Sequence, residues 1–313
     1  MTNAYDIIGD VHGEADALRR LLDKLGYQLT DGCWRNSDRQ VIFLGDFIDR
    51  GPDQRQVLEI VMPMVQQGQA LAVMGNHEFN ALAFHTATDD GLWLRPRTDK
   101  NILQHWAFLA EFLPKKADLR RALDFFWTLP LWLELDGLRV VHACWSDEII
   151  DRLRGQYGGS TLTAELLHQA SNKGTAEYQH LETLLKGREL PLPPGITFLD
   201  KDQNPRSEIR VKWWDRTVKT YQEAYLGPEN ARSSIPDIDT EGRHLIHYPD
   251  TAAPVFLGHY WMTGVPTPLA PNIACLDYSV AKPGGKLVAY SWNSEKVLCD
   301  SNFVSVDRVA QKM

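Results

Sequence analysis

The sequence predicts an α/β fold whose first third is a parallel sheet covered on both faces. Short apolar runs at residues 5–8, 41–44 and 70–74 alternate with segments of helical periodicity. Each run ends in a glycine-led polar cluster: Gly9-Asp10, Gly45-Asp46 and Gly75-Asn76. Strand, helix and strand in repeated succession is the pattern of parallel strands joined by crossover helices.

The elements follow in order. Behind Tyr5-Asp6-Ile7-Ile8, the stretch from Glu14 to Leu25 carries Leu18, Leu21, Leu22 and Leu25 at helical spacing. Val41-Ile42-Phe43-Leu44 is followed by a helix near Gln54 to Gln67, and Ala70 to Met74 by a further helix. Residues 101–127 read as helical, with Leu103, Trp106, Leu109 and Leu113 on one face. Leu131–Leu135 and Leu138–Ala143 form a strand pair across Asp136-Gly137, a strong hairpin signal. Residues 146–250 hold helical patches at 161–172 and 176–187 and the loop Pro191 to Gly195, and read as an insertion or cap. Strands return at Val255–Leu257, Ile273–Leu276, Leu287–Trp292 and Lys296–Cys299. The whole chain, 1–313, is expected to be one domain carrying that insertion.

Composition narrows the class. Hydrophobic residues make up 43% and charged residues 24%, the profile of a soluble globular protein. With 33 basic and 41 acidic residues the formal charge is −8, which argues against a broad surface for long nucleic acid. A small basic pocket for phosphate is compatible with that charge. Cys33, Cys144, Cys275 and Cys299 show no paired spacing, so a reducing compartment and a cytoplasmic location are expected. The start, Met1 to Asp6, lacks a cationic segment followed by an apolar run. The most apolar stretch, Leu129 to Trp145, is broken by Glu134, Asp136 and Arg139, so no membrane span is expected.

Five clusters at predicted strand ends carry the chemistry. They are Gly9-Asp10-Val11-His12-Gly13, Gly45-Asp46-Phe47-Ile48-Asp49-Arg50-Gly51, Gly75-Asn76-His77-Glu78, His142-Ala143-Cys144 and Gly258-His259. In sheets of this kind ligands bind at the carboxyl ends of the strands. Asp10 and His12, two residues apart, can turn toward one point, and Asp46 offers two oxygens that can bridge two cations. Asn76 adds an amide oxygen, while His142 and His259 add imidazole nitrogens. Mixed oxygen and nitrogen donors suit Mn²⁺, Fe or Zn²⁺ better than Ca²⁺.

In this order the clusters resemble the calcineurin-like metallophosphoesterases, specifically the branch of serine/threonine phosphoprotein phosphatases and bacterial diadenosine tetraphosphatases. The likeness covers residues 9–13, 45–52, 75–78, 142–143 and 258–259. It implies a β-sandwich flanked by helices and two divalent metal ions, Mn²⁺ first among the choices. One metal would be held by Asp10, His12 and Asp46, and the other by Asp46, Asn76, His142 and His259. His77 matches the general acid, Asp49 the carboxylate that orients it, and Arg50 an arginine that grips phosphate oxygens. Two cations at such a site neutralise phosphoryl oxygens and acidify water, and Arg50 adds charge on the same group.

The departures bear on substrate. Cys144 and Trp145 stand where the branch has a small residue, Tyr260-Trp261 follow Gly258-His259, and Tyr278-Ser279 replace the usual Thr-Gly. The branch's second phosphate-binding arginine has no motif match here, and Arg216, in Trp213-Trp214-Asp215-Arg216, is the candidate. Trp145 and Trp261, each close behind a metal-binding histidine, either stack on a nucleobase or brace the core. His85, His105, His244 and His247 are assigned no role. The implied partner is a phosphorylated protein or a small phosphate or nucleotide substrate. Hydrolysis of phosphomonoesters, of a phosphoserine/phosphothreonine protein or a small molecule, is the leading expectation, and dinucleoside polyphosphate hydrolysis is the alternative. A non-catalytic phosphate-binding protein is the contrasting class, against which stands the complete set of ligands and acid.

Overall fold

Alternation along the strands divides the core in two. In a computed structural model that describes residues 4–88, 90–199 and 205–309, Ile7, Ile42, Val140, Phe256, Ala274, Val288 and Tyr290 share one buried cluster. Their strand neighbours Ile8, Val41, Phe43, Val141, Val255, Leu257, Ile273, Cys275, Leu287 and Ala289 belong to another. Successive side chains of a strand point to opposite faces. The first cluster is therefore the filling between two sheets, and the second lies between those sheets and the surrounding helices.

One sheet has six strands. Asp277–Tyr278, Lys286–Trp292, Tyr5–Ile8, Gln40–Phe43 and Ala70–Ala72 lie in that order, and Phe303–Asp307 pairs with Lys286–Trp292. Tyr5–Ile8 runs parallel to Gln40–Phe43, which runs parallel to Ala70–Ala72, as the sequence predicts. The four-stranded sheet places Ile273–Cys275, Val255–Leu257, Leu138–Val141 and Trp132–Leu135 side by side. Its last two strands form the expected antiparallel hairpin, whose turn uses Gly137 at φ 83°. The architecture is a β-sandwich flanked by helices, as the resemblance implies.

Helices Ala15–Lys24 and Gln54–Gln66 lie close to their predicted places and bury Leu18, Leu21, Leu22 and Val57, Leu58, Val61 on the sheet. Burial of each such side chain is worth ~1.5–3 kcal/mol. Three predictions need correction. The segment 101–127 is three helices, Asp99–Gln104, Trp106–Phe112 and Lys116–Thr128. The break at His105 splits the expected apolar face, so Leu109 is buried while Leu103, Trp106 and Leu113 are exposed. Lys296–Cys299 is not a strand, and Val297 is exposed; the final strand is Phe303–Asp307, whose half-buried pattern gives a weak signal.

Between Val141 and Val255 the described residues contribute no strand to either main sheet. Helices Asp147–Tyr157, Ala164–Ala170 and Ala176–Lys186 pack Leu153, Leu166, Leu181 and Leu184 into the outer core. Leu190, Phe198, Ile209, Val211, Tyr221 and Ile235 form a small core of their own. All four cysteines are free. Among the described residues no helix is long and apolar enough to cross a membrane.

Candidate active site

Every predicted ligand sits just past the carboxyl end of a strand. Asp10 follows Tyr5–Ile8, Asp46 follows Gln40–Phe43, Asn76 follows Ala70–Ala72, His142 follows Leu138–Val141, and His259 follows Val255–Leu257. The two sheets thus deliver their ligands to one edge of the sandwich. Crowding there requires bare backbone: a Cβ on Gly258 would lie 2.0 Å from Asp10 Oδ1, and one on Gly45 2.4 Å from the Gly75 nitrogen.

Backbone conformation singles out the same residues. His12, Asp46, Asp49, Arg50, His259 and Trp261 have φ between 46° and 72°, a region that L-residues other than glycine enter at a cost of ~1–2 kcal/mol each. Strain of this kind persists only where surrounding contacts enforce it, and it gathers at functional sites. Here the contacts are identifiable. Glu78 accepts hydrogen bonds from the backbone nitrogens of Asp46 (2.8 Å), Phe47 (2.9 Å) and Gly75 (3.0 Å). Gln54 Oε1 accepts from the Asp49 nitrogen, and Asp277 accepts from Trp261 and Ser279.

Asp46 Oδ2 is the geometric centre. It lies 3.6 Å from His12 Nε2, 3.4 Å from His142 Nε2 and 3.9 Å from His77 Nε2. Two groups of donor atoms, each within 4.8 Å of one another, are His12 with Asp46 and His77, and Asp46 with His142 and His259. Asp46 belongs to both. Asn76 Oδ1 joins the second group, 3.1 Å from His142 Nε2 and 2.7 Å from His259 Nδ1. Asp10 Oδ2 accepts from the His259 nitrogen at 3.0 Å.

Whether this donor set suits cations can be judged from its unpaired atoms. Asp10 Oδ1, His12 Nε2 and His259 Nε2 are buried without a hydrogen-bond partner. Unmet buried polar atoms are costly, and three of them on residues of this cluster fit cations that would complete them. His12 and His142 each direct Nδ1 at a backbone carbonyl, of Ile48 (3.0 Å) and Leu44 (2.6 Å), and turn Nε2 inward. Metal-binding histidines are oriented by such outer hydrogen bonds. The residues fit.

Charge in the site is strongly polarised. Burial pushes the Asp10 carboxyl up, helped by the Asp277 charge. Burial would raise Asp46 too, but His142, His77 and His12 hold it well below the usual carboxylate range. Burial lowers His12 to about 3, whereas Asp46 lifts His142 to about 10 despite burial. His259 is lowered by burial and by the neighbouring Arg210 charge.

The remaining predicted residues divide. His77 Nδ1 donates to Asp49 Oδ2 at 2.6 Å, and Arg50 Nη2 lies 3.5 Å from His77 Nε2. Burial opposes protonation of His77, but Asp46 and Asp49 outweigh it and raise its pKa. Trp261 borders the site: its ring centroid is 6.2 Å from His12, with Arg50 Cζ at 4.0 Å and Lys282 Nζ at 3.6 Å over it. Trp145 is fully buried and donates to Asp147, which removes it from any base-stacking role. Arg216 is directed elsewhere, donating to the Tyr248 carbonyl and lying 3.4 Å from Asp250. Sequence reasoning passes over Arg210, at the end of strand Glu208–Arg210. Its Nε is buried without a partner and its charge reaches His259. The alternation Glu208-Ile209-Arg210-Val211 is the available signal. Glu78 and Asp277 are also passed over as positioning groups.

Residues 5–232 match the family described as Calcineurin-like phosphoesterase, a stretch covering more than two thirds of the chain. The chain belongs to this family. Among curated relatives, bis(5'-nucleosyl)-tetraphosphatase PrpE [asymmetrical] of Oceanobacillus iheyensis is 48% identical over 73 residues, 23% of this chain and 29% of that protein. The Bacillus subtilis protein of the same description is 40% identical over 75 residues, 24% of this chain and 31% of its own length. The chain thus spans less than a third of the relatives it matches. Among solved structures, a protein serine/threonine phosphatase from Saccharomyces cerevisiae superposes with TM-score 0.52 at 12% identity, covering 99% of this chain and 81% of that one. That likeness is one of fold.

Proposed function

We propose that this protein is a metal-dependent phosphoesterase acting on phosphate ester or phosphoanhydride bonds. The observation that carries the reading is that two groups of ligand atoms share Asp46, while Asp10 Oδ1, His12 Nε2 and His259 Nε2 are buried and unpaired. Asp10, His12 and Asp46 would hold one divalent ion, and Asp46, Asn76, His142 and His259 the other. Mn²⁺ is the first choice, with Fe and Zn²⁺ compatible. When bound, such ions supply Lewis-acid charge to phosphoryl oxygens and a more acidic water.

The chain's own residues divide the rest of the work. Asp49 fixes the Nδ1–H of His77, which leaves Nε2 to carry the proton needed by the departing oxygen. Arg50, at the same edge, has the planar fork to grip two phosphoryl oxygens while its charge offsets theirs. Arg210 is a better second phosphate contact than Arg216, since its buried Nε lacks a partner. Residues 146–250 we take as a cap on a single metallophosphoesterase domain, because those described add no strand to either main sheet and carry Arg210, whose charge contributes to lowering His259.

For substrate we favour a dinucleoside polyphosphate over a phosphoprotein. The relatives that share 40–48% identity over 73–75 residues are named as tetraphosphatases of this class. The exposed cations Arg50 and Lys282 at the Trp261 ring suit a substrate bearing several phosphates. The test is to strip the protein with chelator, restore Mn²⁺, and assay diadenosine tetraphosphate, a phosphopeptide and p-nitrophenyl phosphate with product analysis. Hydrolysis of the dinucleotide with the highest kcat/KM is expected. A preference for the phosphopeptide would reverse the substrate assignment, and no Mn²⁺-dependent hydrolysis of any of the three would sink the enzyme reading. In the same assay Asp46→Asn should lose both metal and turnover while remaining folded.

A further inference from the structure

Asp49 serves two imidazoles. Its Oδ2 accepts from His77 Nδ1 at 2.6 Å and its Oδ1 accepts from His105 Nδ1 at 2.8 Å, with all three side chains buried. An ionised carboxylate only accepts, so each ring carries a proton on Nδ1 in these contacts. His105 in turn is held by packing. Its ring stacks on Phe108 at 4.8 Å and meets Phe84 edge-on at 5.3 Å.

The backbone around His105 is tied to the loop that carries Asp49. His105 immediately precedes helix Trp106–Phe112, and Glu111 of that helix accepts from the backbone nitrogens of Gln54 (2.8 Å) and Arg55 (2.9 Å). Arg55 Nη2 donates back to the Glu111 carbonyl. Gln54, so anchored, holds the Asp49 nitrogen at 2.6 Å. The two segments are thus joined by four hydrogen bonds, of which the His105–Asp49 contact is the one that reaches toward the reacting centre.

We infer that His105 is a positioning residue for His77, acting through Asp49 and touching neither substrate nor metal ligands. A carboxylate with one partner can turn about its last torsion and present either oxygen. With His105 on Oδ1, only Oδ2 remains for His77, which fixes the ring's tautomer and keeps Nε2 3.5 Å from Arg50 Nη2. Removing His105 leaves Oδ1 buried and unpaired, a penalty the site relieves by letting Asp49 and His77 shift. Misplacement of a catalytic group by such amounts lowers turnover more than binding. The inference rests on the reading of His77 as general acid.

The experiment compares His77→Ala, His105→Asn and His105→Gln, the two amides placing an N–H near the Nδ1 and Nε2 positions of histidine respectively. Each is assayed with Mn²⁺ on phenyl phosphate, whose leaving group needs a proton, and on p-nitrophenyl phosphate, whose leaving group does not. His105→Gln should lower kcat on phenyl phosphate ~10–100-fold, a part of the ~10²–10⁴-fold that general acid catalysis supplies. KM should hardly move, and p-nitrophenyl phosphate should suffer less. His105→Asn should recover most of the loss. A readout free of metal and turnover is proton NMR of the metal-free protein: His105→Gln should abolish one downfield imidazole N–H resonance and shift that of His77. Wild-type kcat in His105→Gln, equal losses on both substrates, or an unmoved His77 resonance would each overturn the inference while the acid role stands. Equal losses on both substrates in His77→Ala would remove the acid role itself, and the inference with it.

Discussion

Glu78 is the residue on which the site's shape most depends without touching the chemistry. One carboxylate takes three backbone amides, from Asp46, Phe47 and Gly75, and so fixes the strained turn at Asp46 against the start of the next helix. Glu78→Gln keeps the volume but turns an N–H₂ toward at least one of those amides. An unsatisfied buried donor costs ~1–3 kcal/mol. Denaturant unfolding should show that loss, and calorimetry should show weaker Mn²⁺ binding; unchanged stability and affinity would mean the turn is held by other contacts. Trp261 acts at the rim of the site, as a seat for cations. Because Arg50 and Lys282 already lie on its ring, a base would have to displace one of them to stack there. Cation–π contact is worth ~0.5–1 kcal/mol at an exposed site, so Trp261→Leu should raise KM ~2–5-fold. The rise should be similar for a nucleotide and for p-nitrophenyl phosphate. A rise confined to the nucleotide would restore the stacking role.

At the level of elements, the first strand is held by a buried ion pair rather than by apolar packing alone. Asp6, in the middle of Tyr5–Ile8 and fully buried, accepts from Arg39 (2.8 Å), Tyr27 (3.0 Å) and Ser291 (2.6 Å). Arg39 also donates to the Tyr5 and Trp292 carbonyls, tying two strands of the sheet together. Breaking one partner of such a pair costs ~3–5 kcal/mol, because the other is left charged and buried. Arg39→Met should lose that much in urea unfolding, and the double variant Asp6→Leu with Arg39→Met should recover a large part; equal losses in both would show that the packing, not the charge, matters. Strands of this sheet were legible in the sequence because burial on both faces leaves mainly apolar runs, interrupted in the first by Asp6, that end in glycine. The metal ligands were legible for a related reason, since each closes a strand and only a few residue types can ligate. What was not legible depends on distant contacts. Nothing local marks His105 as the partner of Asp49, because the two meet only when helix Trp106–Phe112 docks on the loop at Gln54. No motif in the sequence singles out Arg210, and only the fold leaves its Nε buried and unpaired while sending Arg216 to Asp250. Trp145 and Trp261 look alike in sequence, yet one faces the core and the other the rim.

On the scale of the whole molecule, the two sheets converge where the charge is least comfortable without a cation. Asp10, Asp46 and Asp277 are all buried, and the Asp277 and Asp46 charges add to burial in pushing up the Asp10 carboxyl. A cation would relieve that repulsion and pair the orphaned oxygen and nitrogens of Asp10, His12 and His259. Because these ligands come from strands as far apart in sequence as Tyr5–Ile8 and Val255–Leu257, unfolding scatters them and destroys the site. Binding to the folded state alone then stabilises by mass action, about 2.7 kcal/mol for one site at a free ion concentration a hundred times Kd. At roughly 2–4 °C per kcal/mol for chains of 150–250 residues, the melting temperature should rise by several degrees. Calorimetric scans of chelator-treated protein should show this rise with Mn²⁺ and much less with Ca²⁺, which prefers an all-oxygen shell. Asp46→Asn should melt below the metal-free wild type, since His142 and His77 lose the carboxylate that favours their charged forms, and should no longer respond to Mn²⁺. If the wild type did not respond to millimolar Mn²⁺, the unpaired atoms would not be a metal site. If Asp46→Asn kept the full response, the ion would bind without the carboxylate that the two groups of ligands share.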